Sequence, residues 1–524
     1  MALPALSQPL TAVENTWSAV QRQVETMITQ LQQPDTLQQS QTEIENYLTH
    51  EGRELLRRML QAHLAERAPG TVAETVYAAD QTVRPLRATQ SRQIESPFGT
   101  VRLERTGYSA SGQSSLHPLD AQLNLPPERY SHNVRRLVAE AAATQSFDES
   151  VAQVAQHSGA HVPKRQAEAL TVRAGQDFEA FYAQRQAQTS EEAATTSQML
   201  VITSDGKGIP MKRADLKPAT QKAAEAQTPR LQKRRSKGEK ASSKRMSTVA
   251  AVYTIAPQVR TPEQIVDQLQ PVHEVVRPPR PENKRVWASV AQTPAQVLEQ
   301  AFAEASRRDP ARTKTCVGLV DGQPQQLALL KATALKHEVK MVIILDLIHV
   351  LEYLWKASWA LHSEGDPPAE AWVSERLLAI LRGRAGSVVA GLRRCATLRK
   401  LSVKERAPLD KCANYLSKYQ EYLRYDQYLA AGYPIATGVI EGACRYVVKD
   451  RMERTGARWR LSSAEAVLQL RSLRASGDWE AYWDFHLQQE YQRHHIAAYA
   501  DGRVPVANPH LQTQGKPTHL RLVK

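Results

Sequence analysis

Cysteine is scarce and unpaired in this sequence. Four occur in 524 residues, Cys316, Cys395, Cys412 and Cys444, and no two form a Cys-x-x-Cys spacing. That excludes a zinc ribbon and argues against a disulfide framework, so a reducing cytoplasm is expected. Long apolar runs are also lacking: none approaches the roughly 20 residues that span a bilayer, and no membrane partner is expected. The first residues, Met1-Ala2-Leu3-Pro4-Ala5, show no basic region ahead of an apolar core, so a secretory signal is not expected. Acids are in short supply, 54 Asp plus Glu against 68 Lys plus Arg, leaving a net charge of +14 and a pI near 9.5. Such an excess points to a polyanionic partner but specifies neither fold nor reaction. With 42% hydrophobic and 23% charged residues, the chain is ordinary globular material rather than disordered or fibrous. At roughly 100–200 residues per domain, its length predicts about three domains.

Residues 1–70 read as a helical N-terminal region. Leu10, Val13, Trp17, Val20, Val24, Met27, Ile28 and Leu31 recur at helical spacing before Pro34-Asp35, and a second run from Ile44 to Leu64 ends near Ala68-Pro69-Gly70. Residues 71–130 hold a β-hairpin signal, an alternating pattern around Pro97-Phe98-Gly99. Its outward face carries Arg84, Arg87, Arg92, Arg102 and Arg105, suited either to a phosphate backbone or to water. Over 131–190, three apolar stripes are separated by short turns, one of them His157-Ser158-Gly159-Ala160. Lys164, Arg165 and Gln166 open the third helix. This spacing fits a helix-turn-helix whose third helix reads DNA, and equally an ordinary three-helix bundle.

From residue 195 the pattern changes. Apolar runs at 199–203, 248–255, 285–290, 316–320 and 341–345 read as buried strands, with helices over about 294–307 and 325–337 between the later ones. Residues 206–245 read as a basic loop. They hold 13 Lys or Arg, including Lys233, Arg234 and Arg235, against Asp215, Glu225 and Glu239, and so carry ten of the fourteen net charges. An α/β core of mixed strands is expected over 195–349, with helices dominant afterwards, a second part of the core over 434–475, and a C-terminal helix and tail over 476–524.

Three of these strands run into aspartate: Asp205, Asp321 and Asp346. One such residue is commonplace, since Asp caps helices and opens turns. Three carboxylates at the same ends of neighbouring strands repel one another, and a divalent cation is the usual reason to tolerate that. Mg²⁺ (or Mn²⁺) takes carboxylate oxygens and leaves positions for phosphate and water. A fourth acid, Glu441, lies on a helix with Arg445 and Lys449 at i+4 and i+8. That row reads either as a solvated ion pair or as a metal-binding Glu beside two cations that hold a phosphate backbone.

The run Pro434-Ile435-Ala436-Thr437-Gly438-Val439-Ile440-Glu441-Gly442-Ala443-Cys444-Arg445, its continuation through Lys449-Asp450-Arg451-Met452 to Trp459, Asp205-Gly206-Lys207-Gly208 and the stretch Leu345–Trp355 together resemble bacterial insertion-sequence transposases of the ISKra type. These belong to the DDE, Mutator-like group with an RNase H-like core. The similarity covers roughly residues 195–490. It implies a helical insertion over 350–433, and a metal-binding triad of Asp205, Asp321 and Glu441. An Asp-x-x-His motif, Asp346-Leu347-Ile348-His349, would support that triad from nearby. Read from the residues alone, Asp346 competes with Asp321 as second acid. The resemblance further implies water-driven release of a 3′-OH at terminal inverted repeats, attack of that hydroxyl on target DNA, and a homo-oligomeric synaptic complex associated with the nucleoid. Two other readings stay open: a non-cleaving DNA-binding regulator, and a nuclease or resolvase without strand transfer.

Overall fold

A computed structural model describes residues 12–188, 199–226, 243–268, 279–363, 365–454 and 456–508. The chain divides into two compact units, one made of residues 1–177 with 480–524 and the other of 178–479. Among the described residues no helix is long and apolar enough to cross a membrane.

The first unit opens on two helices, α1 (Ala12–Leu31) and α2 (Gln41–Arg67), packed against each other. Ser40 caps α2 through a reciprocal bond with Glu43, which satisfies two of the donors that a helix start leaves open. Strands β1 (Leu86–Ser96) and β2 (Gly99–Ser109) follow as the expected antiparallel hairpin. The arginine face anticipated on it is only partly exposed. Arg84 is buried, while Arg92 and Arg105 both turn inward onto the buried carboxylate of Asp120 on α3 (Pro118–Gln122). Two guanidiniums on one buried acid form a structural clamp. Of the five, only Arg87 and Arg102 stay on the exposed surface.

Helices α4 (His132–Thr144), α5 (Phe147–His157) and α6 (Lys164–Gly175) form the anticipated cluster around Val134, Val138, Val154, Val162 and Leu170. Gly159, in the α5–α6 turn, donates to the Pro97 carbonyl at 2.7 Å. A Cβ there would lie 2.5 Å from the Phe98 carbonyl oxygen, so only glycine lets the hairpin tip seat on that turn.

The second unit begins with α7 (Phe178–Ala187) and is built on a five-stranded sheet in the order β5-β4-β3-β6-β7. Its strands are β3 (Met199–Pro210), β4 (Lys244–Ile255), β5 (Glu282–Ser289), β6 (Thr315–Val320) and β7 (Met341–Leu345). β3, β6 and β7 are parallel to one another, and β4 is antiparallel to both its neighbours. The near-continuous apolar runs of β3, β4 and β6 are buried, as expected of strands covered on both faces. The order strand, strand, strand, helix, strand, helix, strand matches the expectation. Two short helices, α8 (Pro218–Glu225) and α9 (Pro262–Gln268), intervene in the first two connections, and α10 (Pro294–Arg308) and α11 (Pro324–Lys336) lie in the last two.

The expected basic loop needs correction. Residues 206–210 continue β3 and 244–245 begin β4, paired Pro210 to Lys244 and Asp205 to Val249. Asp205 therefore lies within the strand rather than at its end. Lys233, Arg234 and Arg235 lie outside the described residues.

After β7 come α12 (Leu347–Ser358), α13 (Pro367–Leu381), α14 (Ala385–Leu398), α15 (Val403–Lys418) and α16 (Tyr425–Ala430). Then α17 (Gly438–Ala443) runs through a π-helical turn, Cys444–Lys449, into the short α18 (Asp450–Met452). Helix α19 (Leu461–Ser476) closes the sheet edge. Its Ser472 and Ser476 hydroxyls accept the outer N–H groups of Ala288 and Val286, and Glu465 accepts those of Val290 and Ala291. The edge of β5 is thereby closed to a foreign strand. The next helix, α20 (Trp479–His494), belongs from residue 480 to the first unit.

Candidate active site

Register places the three aspartates side by side. The last pair between β3 and β6 is Thr203 with Leu319, so Asp205 and Asp321 each lie two residues beyond it. Between β6 and β7 the last pair is Val320 with Leu345, and Asp321 and Asp346 follow directly. The three acids thus occupy one level of three adjacent parallel strands, at about 4.8 Å per strand spacing. Asp321 is in the middle.

Each carboxylate is held differently. Asp346 is fully buried; its Oδ1 accepts from the Thr437 N–H at 2.9 Å and from the Ile348 N–H at 3.3 Å, and its Oδ2 meets His349 Nδ1 at 2.7 Å. Both oxygens are committed: Asp346 caps α12, orients the imidazole and ties the segment before α17 to the sheet. Asp321 is partly exposed, and among the described residues only its Oδ1 accepts a hydrogen bond, from Gln323 N–H at 2.8 Å. Asp205 takes the Gly206 N–H on Oδ1 at 2.5 Å and the Cys444 thiol on Oδ2 at 3.2 Å. Burial and the Asp205 charge push the Cys444 thiol far up, so it stays protonated and donates.

Glu441 arrives from α17. Atoms of Asp346, His349 and Glu441 that can bind a metal lie within 4.8 Å of one another. Burial pushes Glu441 above the usual carboxylate range, and the negative charges of Asp346, Glu352 and Asp205 add to this while His349 opposes it. A carboxylate disfavoured as an anion by its acidic neighbours is what a divalent cation would relieve. The donor set, oxygen-rich and crowded, fits a hard ion such as Mg²⁺ or Mn²⁺. The cluster that Glu441 completes is with Asp346 and His349; among the described residues Asp205 accepts through both oxygens and Asp321 through one.

The imidazole of His349 is raised to about 9, first by its hydrogen bond with Asp346 and further by the charges of Asp346, Asp321 and Glu352, against the effect of burial. A group raised from 6.5 to about 9 gives its stability in full below pH 6.5 and loses it as the pH climbs through 9. In chelator, wild type is therefore expected to lose thermal stability between pH 6.5 and 9 more steeply than His349→Gln. Parallel unfolding curves for the two would remove the pair from the stability account.

The helical insertion holds this edge of the sheet with tyrosine hydroxyls. Tyr415 donates to the Asp321 carbonyl at 2.9 Å, Tyr419 to that of Gly322, and Tyr425 to that of Leu345 at 2.7 Å. Gly322 adopts φ +88°, and a Cβ there would lie 3.1 Å from Tyr415 and Leu345, so this turn also needs glycine. Read from sequence, these tyrosines are core residues. They are buried, and their polar ends fix the backbone that carries the acids. Trp359, on the same insertion, stays 48% exposed.

The candidate DNA-contacting residues fall in separate places. Lys164, Arg165 and Gln166 are exposed on the first turn of α6 in the first unit, with Lys164 paired to Asp148 at 2.6 Å. Arg445 and Lys449 are exposed beyond Glu441, where the i, i+4, i+8 row expects them. A π turn, Cys444–Lys449, runs through this stretch, and its first residue, Cys444, donates to Asp205. Nothing in the local spacing signalled Cys444 as a site residue. Compared with models of known protein families and with curated proteins, the chain matches none.

Proposed function

We propose that the protein is a DNA transposase of an insertion sequence, a DDE enzyme that cleaves and transfers strands at terminal inverted repeats. The observation that carries the reading is the single level shared by Asp205, Asp321 and Asp346 on three parallel strands, with Glu441 delivered beside them by a helix after a helical insertion. The order β5-β4-β3-β6-β7 with one antiparallel partner beside the first strand supports an RNase H-like core.

Within this reading Asp205, Asp321 and Glu441 would hold Mg²⁺ or Mn²⁺. Asp321 is preferred to Asp346 because Asp346 is fully buried and bound to the His349 imidazole, whereas Asp321 is partly exposed and, among the described residues, accepts through Oδ1 alone. When bound, the cations supply charge stabilisation at the reacting phosphate and acidify the attacking hydroxyl or water. The chain's own contribution is positioning. Cys444 orients Asp205, the Tyr415 and Tyr419 hydroxyls fix the Asp321-Gly322 turn, and the Asp346–His349 pair keeps α12 and the start of α17 against the strand ends. Arg445 and Lys449 contact phosphates of DNA entering from solvent, and Lys164, Arg165 and Gln166 approach the repeat. Phosphate contacts give salt-dependent affinity and base contacts give the sequence. The reaction is hydrolysis at the element's 3′ end, then attack of the freed 3′-OH on a target phosphodiester within a synaptic homo-oligomer.

Incubating the full chain with the element's own ends in Mg²⁺ or chelator tests this. Joined end–target product that requires the cation is expected. Cleavage without joining would favour a nuclease or resolvase, and binding without cleavage a regulator.

A further inference from the structure

At the sheet edge away from the carboxylates, one carboxylate serves three guanidiniums. Glu304, on α10, is 3% exposed; its Oε1 accepts from Arg307 at 2.9 Å and Arg308 at 2.7 Å, and its Oε2 from Arg285 at 3.1 Å. Arg285 is itself 4% exposed, sandwiched 3.6 Å from the Tyr182 ring centroid and 4.5 Å from that of Trp287. Both oxygens of Glu304 are used, and the Nε of Arg285 is buried without a hydrogen-bond partner.

These groups line a cavity of about 160 Å³, roughly five times the volume a water occupies in the liquid. Arg185 and Lys284 reach the same cavity, and the other acid lining it, Asp478, is taken up by Arg185 and by the Tyr182 hydroxyl at 2.8 Å. Five cations therefore face two carboxylates, both saturated. Although burial alone would raise it, the guanidiniums of Arg285, Arg308 and Arg307 hold Glu304 far below the usual carboxylate range. Burial also pushes Arg308 down against the pull of Glu304. Buried charge left without a counter-charge is costly, and a neutralising anion with several acceptor oxygens matches the donors on offer. The strand register sets this cavity apart from the acids: Arg285 pairs with Val252, which pairs with Ile202, three residues from Asp205 and two strands across.

We propose that this cavity binds a phosphate group, through Arg285, Arg307, Arg308 and Lys284. The group is either a backbone phosphate of DNA or free phosphate, and the site stands whether or not the acids cleave DNA. The full chain, titrated with inorganic phosphate against chloride at matched ionic strength, is expected to show a saturable rise in unfolding temperature. Lys284→Gln, at the half-buried rim, keeps the fold and is expected to weaken the apparent phosphate affinity at least about threefold; Arg307→Gln weakens it further. If the ligand is DNA, Lys284→Gln also lowers duplex affinity and reduces the salt slope by about one. If it is free phosphate, duplex affinity stays unchanged while the phosphate response falls. No saturable rise in wild type, or an identical response in wild type and both variants, overturns the proposal.

Discussion

Asp205→Asn and Glu441→Gln are each expected to lower Mg²⁺-dependent strand cleavage at least about a thousandfold, which is roughly 4 kcal/mol of transition-state stabilisation. Both replacements keep the side chain's shape and exchange one anionic oxygen for an amide NH2, which cannot bind a cation. The stability readout separates this from damage to the fold. Asp205→Asn keeps one acceptor oxygen for two donors, the Gly206 N–H and the Cys444 thiol, so its unfolding temperature should fall somewhat and its cleavage is compared at equal folded fraction. Glu441→Gln removes a charge that burial and its acidic neighbours already disfavour, so its unfolding temperature in chelator should equal or exceed that of wild type. Mg²⁺ should then stabilise wild type more than it stabilises Glu441→Gln. Near-normal cleavage by either variant, measured by end-product analysis at saturating DNA, would remove that residue from the site.

The second large effect concerns the first unit. Arg135 of α4 is 1% exposed and pairs with Glu490 of α20, itself 2% exposed, and with Glu128 at 3.3 Å. Arg493 shares Glu490, so the carboxylate is not abandoned when Arg135 is lost. Removing one partner of a buried pair costs about 3–5 kcal/mol; Arg135→Met should therefore fall near the lower end, read from chemical unfolding. Although burial alone would raise it, the charge and hydrogen bond of Arg135 hold Glu490 at about 2. That stability is present above the ordinary carboxylate value of 4.5 and is lost as the pH falls toward 2. Wild type should thus lose more stability on acidification than Arg135→Met. Because α4 carries the core of the α4–α6 cluster, repeat binding should weaken in parallel with the loss of folded unit.

Much of the second unit was legible in the sequence because its strands are buried. Runs such as Val249–Ile255 and Cys316–Val320 have no alternation and stop shortly before Pro257 and Asp321 respectively, a pattern of buried strands. Asp205 reads as a strand end for a local reason. Asp-Gly-Lys-Gly resembles a turn, yet the two glycines continue the ladder with β4, where the Met246 and Lys244 side chains lie over them. The inward turn of Arg92 and Arg105 leaves no trace in the local sequence, because Asp120, which draws both, is remote from Arg92. Cys444 was invisible, since a π turn leaves no periodic signature. The tyrosines of the insertion read as apolar bulk, and no spacing shows where a hydroxyl points.

Asp321, and not Asp346, is expected to complete the metal-binding set. The most direct test is strand transfer by Asp321→Asn beside Asp346→Asn, each with its unfolding temperature. Asp321→Asn is expected to fold like wild type, bind the element's ends and make no joined product. Asp346→Asn loses acceptor capacity for His349 and the Thr437 N–H, so its unfolding temperature should fall. Full strand transfer by Asp321→Asn would contradict the account.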